Sequence, residues 1–305
     1  MRPYNLLFLQ FAPADANVLA AGLRRTTLTL DLSNTLILSP QAAGAPVSEE
    51  DTELQRVCWI EARGTGLGEL EVSVPLLWRN GGFMDPILRA WHRVFGLKAE
   101  HGASDLADFR SVVRLTASDG SNVVQRGPAA GLGDISVTLK RALTDGAGRL
   151  AVAARAGVKI PSGSASLLLG SGAVDLGLSL DAQYRLGREF MTYANLSGAL
   201  LGRARRVPQA RRTLLQGFWG LEYRPNSRDS YHWQLEVGQA PVRTGYRFAD
   251  SEQATVTFGY RRVLSRTLII SGSFSENGDY ANYATPLLGR VGPDFTASLG
   301  LEWRP

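Results

Sequence analysis

Apolar and polar residues alternate along most of this chain, in stretches of about ten residues that start near residue 24 and recur to the C-terminus. The pattern is plain in Thr27-Leu28-Thr29-Leu30-Asp31-Leu32, in Glu69-Leu70-Glu71-Val72-Ser73-Val74, and in Asp175-Leu176-Gly177-Leu178-Ser179-Leu180. A period of two places the aliphatic side chains on one face of a strand and the polar ones on the other. Strands are predicted at 24–37, 52–63, 69–78, 134–143, 149–160, 175–185, 190–201, 213–224, 230–240, 252–263, 267–276 and 294–304. The connections also alternate. Short ones near 64–68, 144–148, 186–189, 225–229 and 264–266 carry turn residues such as Asp145-Gly146 and Pro225-Asn226. Long ones occupy 38–51, 79–133, 161–174, 202–212, 241–251 and 277–293.

An even strand number with lopsided connections is the pattern of a bacterial outer-membrane barrel, with short turns facing the periplasm and long loops facing outward. The expected fold is all-β: one antiparallel up-and-down transmembrane β-barrel of about twelve strands, spanning residues 1–305 as a single domain. The large outer loop 79–133 is predicted to hold a β-hairpin at 109–126, turning at Asp119-Gly120. It is also predicted to hold a short helix at 86–95, capped by Asp85 and started by Pro86. That helix reads either as a lid on the barrel mouth or as an interfacial helix. Residues 1–23 have an apolar run too short and too broken by Gln10 for a signal peptide. They are expected inside or beneath the barrel, with the export signal lying outside this chain.

Composition narrows the classes. With 44% hydrophobic and 20% charged residues among 305, the chain is not disordered, and no apolar run reaches the roughly 18 residues of a membrane helix. A net charge of +5, spread along the chain rather than gathered on a recognition helix, speaks against nucleic acid. The single Cys58 precludes an internal disulfide, and no metal-ligand spacing recurs, so neither a metal nor a cofactor is expected. Catalytic residues are not expected either: His92, His101 and His232 stand in no nucleophile–base arrangement.

Assigning faces puts Glu69, Glu71, Lys140, Arg155, Lys159, Asp181, Glu222, His232, Glu236, Arg261 and Glu302 on the lumen wall. Such charges either pair into a self-satisfied plug or line a wetted pore. His232 is expected to join an interior hydrogen-bond network. Trp219, Tyr223, Tyr231, Trp233 and Trp303 fall on the outward face towards strand ends, as membrane girdles require. Arg203, Arg205, Arg206, Arg211 and Arg212 crowd one outer loop, where lipopolysaccharide phosphates would be within reach; a solvated charged loop is the plainer reading.

Several segments carry a resemblance. Asn5–Phe11, Gly81-Gly82-Phe83-Met84-Asp85, Trp91–Leu97, Gly131-Leu132-Gly133-Asp134, Lys159-Ile160-Pro161-Ser162-Gly163 and Gly170-Ser171-Gly172 together resemble the bacterial domain-of-unknown-function 3187 family over nearly the whole chain. The resemblance implies an outer-membrane-like protein in which residues 1–23 are mature sequence, and it implies no activity. Ser162 stands where that family would have Thr. Gly66-Leu67-Gly68-Glu69, Gly131-Leu132-Gly133-Asp134 and Gly170-Ser171-Gly172 each precede a strand rather than a helix, so their glycines read as tight entries into the sheet. The C-terminal Ser298-Leu299-Gly300-Leu301-Glu302-Trp303 resembles the signal read by the barrel-assembly machinery, although Pro305 replaces the usual terminal aromatic.

The expected function is a non-enzymatic outer-membrane protein, a narrow channel or a small-solute or lipid transporter. The alternatives are a closed structural or partner-binding barrel, a lipid-modifying barrel enzyme and a soluble closed barrel. A continuous wet lumen would favour transport, and a lumen filled by residues 1–23 would favour the closed barrel. An outward apolar band of roughly 25 Å is required for any membrane reading.

Overall fold

A computed structural model describes residues 2–38, 41–42, 45–46, 48–87, 90, 109–144, 148–277 and 295–305. Twelve antiparallel strands close into a single barrel. In chain order they are β1 (Arg24–Leu38), β2 (Ser48–Thr65), β3 (Gly68–Asn80), β4 (Ile135–Ala142), β5 (Leu150–Ile160) and β6 (Asp175–Arg185). The circuit continues with β7 (Phe190–Leu200), β8 (Thr213–Tyr223), β9 (Asp229–Gly238), β10 (Gln253–Val263), β11 (Leu268–Asn277) and β12 (Phe295–Trp303). Each strand pairs with its neighbours in sequence, and β12 closes on β1 from Thr26 opposite Trp303 to Asn34 opposite Phe295. Closure leaves no unpaired edge, which is the condition for strands in hydrocarbon.

The alternation divides the wall as predicted. Leu178, Leu196 and Leu299 are 69%, 67% and 64% exposed on the outside, while their neighbours Ser179, Asn195 and Ser298 face inward. Eleven-residue strands such as β6 and β7, at about 3.3 Å per residue and a tilt of about 45°, stand roughly 25 Å tall, the height of a hydrocarbon core. The apolar band required for a membrane barrel is therefore present.

Two features of the wall differ from the sequence reading. β2 starts at Ser48, four residues earlier than predicted, so Glu49, Glu50 and Asp51 belong to the sheet. This acidic run reads as loop in isolation. It enters the sheet because Arg110 pairs with Glu49 at 2.7 Å and with Asp51 at 3.3 Å, and Arg2 pairs with Glu50. Between β3 and β4 the register slips by one residue at Gly133-Asp134, and Ala129–Leu132 carries the pairing on up β3. Pro75 lies at this slip, and its carbonyl accepts the Gly133 N–H at 2.8 Å.

The predicted hairpin is present as Val112–Thr116 and Asn122–Arg126, and Val112–Leu115 pairs with the start of β2. Its turn residue Asp119 accepts the Ser121 hydroxyl and N–H at 2.5 and 2.9 Å, which hold the carboxyl below its usual range. Of the predicted helix 86–95, residues 85–87 are helical, and the remainder lies outside the described residues apart from 90. Asp85 is inside that first turn rather than capping it, and its carboxylate is occupied by Asn34 Nδ2 at 3.2 Å and the Phe109 N–H at 2.8 Å.

The membrane face gives the first prediction. Leu196→Arg, at mid-strand, should destabilise the barrel by about 2–4 kcal/mol, whereas Leu186→Arg in a short turn should cost about 0–1 kcal/mol. Urea titration of protein folded into vesicles measures both, and equal costs would contradict the lipid-facing assignment.

Candidate functional site

The lumen is occupied along one wall by the chain's own N-terminal segment. Residues 2–23 run the length of the barrel, from Arg2 beside Glu50 at the long-loop end to Gly22, whose N–H donates to Gly64 O at 3.1 Å at the short-turn end. Between these points the segment is not a strand, so its backbone has no ladder. Wall side chains supply the partners instead. The Leu9 N–H donates to Asp175 Oδ2 at 2.9 Å, the Ala16 N–H to Gln183 Oε1 at 3.2 Å and the Leu19 N–H to Glu69 Oε2 at 2.8 Å. Asn195 satisfies both groups of Ala14, accepting its N–H at 3.1 Å and donating to its carbonyl at 2.9 Å. Arg155 Nη1 donates to Ala12 O at 3.0 Å.

The same wall is shaped for one ring. Gly157 and Gly177 face each other on β5 and β6, and Phe11 lies against both. A Cβ at either position would come within 3.0 or 2.7 Å of that ring, so these inward positions need glycine. The Arg155 guanidinium covers the ring with its carbon 5.1 Å from the centroid.

Charges below and above the ring pair off. Arg155 bonds Asp181 at 2.9 Å, and Arg25 bridges Glu69 at 2.7 Å and Glu71 at 3.4 Å. Lys140 lies 3.6 Å from Asp15 of the segment and 3.9 Å from Glu69. Higher up, the motifs Gly131–Asp134 and Gly170–Gly172 converge with Lys159 on one buried node. Lys159 Nζ donates to Asp134 Oδ2 at 2.5 Å, to Ser171 Oγ at 2.8 Å and to Ala173 O at 3.0 Å, and lies 3.4 Å from Asp175. Asp134 also accepts the N–H groups of Gly163 and Ser171, and Asp175 accepts that of Gly202. The node thus ties the loops 161–174 and 202–212 to the N-terminal segment.

Apolar side chains pack across the long-loop end. Tyr4, Leu7, Phe8 and Leu9 form one buried cluster with Val113, Leu115 and Val123 of the hairpin and with Leu168, Leu201, Val207 and Val242 of three loops. The hairpin tip is held there by the Ser118 N–H to Thr244 O at 2.7 Å and by Gln209 Nε2 to Ser121 O at 3.1 Å.

The short-turn half of the lumen is different. Opposite the segment, a cavity of about 520 Å³ extends to the turn 225–228. Tyr193, Glu222, His232, Gln234, Arg261 and Glu302 line it. Tyr193 hydroxyl donates to Glu222, as does Arg224 Nη2 at 2.7 Å, and Arg261 lies 3.6 Å from Glu302. Hydrogen bonding to Glu222 raises the Arg224 guanidinium above its ordinary range. Among the described residues, no group of His, Cys, Asp and Glu side chains could hold a metal ion.

The sequence-predicted lumen residues all fall on inward positions, but in two separate environments. Glu69, Glu71, Lys140, Arg155, Lys159 and Asp181 support the segment or the node, whereas Glu222, His232, Arg261 and Glu302 face the cavity. Glu236 occupies the inward register position between Phe218 and Thr255. His232 departs from expectation: it makes no hydrogen bond among the described residues, and its ring lies against Gly259, where a Cβ would meet Nε2. Arg211 likewise departs from the exposed cluster, since it turns in to donate to Ala240 O at 2.8 Å and Asp250 O at 3.3 Å. Arg203, Arg205, Arg206 and Arg212 are exposed. Of the girdle, Trp219, Tyr223, Tyr231 and Trp303 are exposed on the outer face, and Trp233 is half-buried against Trp219 with ring centroids 5.1 Å apart. Asn195, Asp134, Asp175, Arg25 and Tyr193 went unmarked in the sequence. Their signal was available in part, since all five stand at inward positions of predicted strands.

The fold is a closed twelve-stranded antiparallel barrel of the outer-membrane type. The chain belongs to the family described as protein of unknown function (DUF3187), whose pattern matches residues 62–304. Among solved structures it is similar to the COG4313 outer membrane channel from Pseudomonas putida F1, with a TM-score of 0.60 and 13% identity over 97% of this chain and 100% of that one. Weaker likeness extends to the NanC porin (TM-score 0.46, 8% identity, 91% and 98% of the two chains). It extends also to the Pseudomonas putida toluene transporter TodX (TM-score 0.43, 13% identity, 100% and 92%). No curated protein matches the chain.

The node is testable by removing its cation. Lys159→Met leaves Asp134 and Asp175 buried without a counter-charge, and should cost about 3–5 kcal/mol in equilibrium unfolding. A cost below about 1 kcal/mol would show that the node holds neither the loops nor the segment.

Proposed function

We propose that this protein is an outer-membrane channel for small polar solutes, without enzymatic activity, whose lumen is closed at rest by its N-terminal segment. The observation that carries this reading is the unequal filling of the lumen. Between Leu9 and Leu19 the segment lies along the wall from β3 to β7, and a polar cavity of about 520 Å³ remains beside it, open towards the short-turn end. A barrel built only as a scaffold would gain by filling that space with packed side chains, since interiors are close-packed. Instead the cavity is lined by ion pairs and hydrogen-bonded groups that water can solvate. The segment itself is joined to the wall largely by hydrogen bonds, which a solvated lumen can exchange.

The position in the membrane follows the same logic. Short turns face the periplasm in such barrels, so the cavity would be a periplasmic vestibule and the apolar cluster an outer seal. The outer-membrane fold of the structural neighbours supports that location. The exposed arginines of loop 202–212 would then stand at the depth of lipopolysaccharide phosphates, and the C-terminal strand would present the barrel-assembly signal.

The second reading, a closed structural or partner-binding barrel, is favoured by the buried cluster of Tyr4, Leu7, Phe8 and Leu9 with the hairpin and loops. Planar-bilayer recording separates the two. The full-length chain should show only brief openings, whereas a variant lacking residues 2–20 should conduct steadily. If the deletion disturbs folding, the double variant Asn195→Ala with Gln183→Ala, which loosens Ala14 and Ala16, should raise the open fraction about ten-fold for an expected loss of about 1.4 kcal/mol. Silence from both variants, each shown to be folded by its heat-dependent gel mobility, would overturn the channel reading and leave the closed barrel.

A further inference from the structure

We infer that the short-turn rim of the barrel carries a binding site for the phosphate head group of a membrane phospholipid. The site adjoins the lumen vestibule, with which it shares Arg224, and it rests on the membrane reading given above.

The rim beneath β5 to β8 encloses a second cavity of about 580 Å³. Four guanidinium groups line it: Arg149 just before β5, Arg185 at the end of β6, Arg188 in the next turn and Arg224 just after β8. Glu189 is the one carboxylate among its lining residues. Arg224 is already engaged by Glu222, while Arg149, Arg185 and Arg188 form no ion pair among the described residues. The backbone carrying them is fixed. The Arg185 N–H donates to Arg149 O at 2.9 Å, Leu186 N–H to Phe190 O at 3.0 Å and Arg224 N–H to Glu189 O at 2.7 Å. Like charges gathered on a rigid platform repel one another, and an anion placed among them relieves that repulsion while gaining charge-assisted hydrogen bonds.

The remaining wall of the cavity identifies the source of the anion. It includes Phe190, exposed on the lipid face of the barrel, and Met191, buried on the inward side opposite Glu222. Phe190 stacks on Tyr223 at 5.0 Å, Tyr223 on Tyr231 at 6.5 Å, and Tyr231 meets Tyr260 at 5.2 Å. This aromatic ladder crosses four adjacent strands at one height, near their short-turn ends. Such belts mark the boundary between hydrocarbon and head groups. The guanidinium groups therefore sit at head-group depth, beside rings that can hold the glycerol and the first acyl carbons. A soluble anion entering the vestibule would have no use for a lipid-facing aromatic wall. A phospholipid uses both parts, with its phosphate taken by the planar forks of the arginines.

Native mass spectrometry tests this on the full-length chain, inserted into phosphatidylcholine vesicles containing phosphatidylglycerol and then extracted in mild detergent. The wild-type chain should carry phosphatidylglycerol, and Arg185→Gln with Arg188→Gln should reduce the retained lipid about five-fold, as expected for the loss of two charge-assisted contacts. Arg126→Gln with Arg243→Gln, in the hairpin and the loop 241–251 at the opposite end, should leave retention unchanged, and millimolar inorganic phosphate should not displace the lipid. Equal retention by the rim variant, or displacement by inorganic phosphate, would overturn the site while leaving the membrane reading intact. Failure of the wild-type chain to float with the vesicles before extraction would overturn both.

Discussion

A backbone that enters the interior of a transmembrane barrel must have every N–H and C=O satisfied there, because a buried unpaired amide costs as much as the hydrogen bond it lacks. Between residues 9 and 19, the N–H groups of Leu9, Ala14, Ala16 and Leu19 and the carbonyls of Ala12 and Ala14 find partners without forming a strand. Asp175, Gln183, Asn195, Glu69 and Arg155 act as a substitute ladder, contributed by four different strands. Much of the rest follows from this arrangement. The polar composition of one lumen wall, the paired glycines at 157 and 177 and the inward tilt of the charges near Phe11 all serve to seat a single extended peptide.

The charges of the wall acquire two roles from their position relative to the segment. Those behind it are buried and must be neutralised, and they are: Arg155 with Asp181, Arg25 with Glu69, Lys159 with Asp134 and Asp175. Those on the open side, such as Arg261 and Glu302, stand 3.6 Å apart and partly exposed, a looser pairing that water supports. The lumen is therefore not one environment with a uniform lining. It is a packed, desolvated half joined to a wet half, and the boundary between them is the segment itself.

The barrel was legible in the sequence because period-two alternation is a local signal repeated twelve times. β6 was bounded correctly at both ends, since Asp175 and Arg185 sit at abrupt changes of pattern. β2 was shortened because the acidic run 49–51 resembles a loop until Arg110 and Arg2, remote in sequence, neutralise it. The lumen site was legible only as a list of inward residues. Nothing local marks Asn195 as the partner of Ala14, or joins Asp134, Lys159 and Ser171 into one node, because those contacts depend on how three loops fold over the mouth. The glycine motifs were read one at a time as strand entries. The convergence of two of them on a shared lysine is a tertiary fact. One clue was present and unused: Gly157 and Gly177 fall at inward positions of consecutive predicted strands, which pointed to a bulky neighbour inside.

The two ends of the segment are held by forces that respond differently to water. Near the long-loop end, Leu7, Phe8 and Leu9 are buried among aliphatic side chains. Each contributes about 1.5–3 kcal/mol of transfer free energy that no solvent contact replaces. Near the short-turn end the segment is held by hydrogen bonds at Ala14, Ala16 and Leu19, beside a cavity large enough for many waters. There each bond can be exchanged for one to water at a net cost of about 0.5–1.5 kcal/mol. On the proposed channel reading, release of the segment would start at the short-turn end and work towards the apolar cluster. A solute reaching the cavity would compete first for Asn195 and Gln183, and the seal at the far mouth would yield last. That order would make the apolar seal the step that limits opening, and would give the polar wall a second function as the surface a departing segment leaves behind.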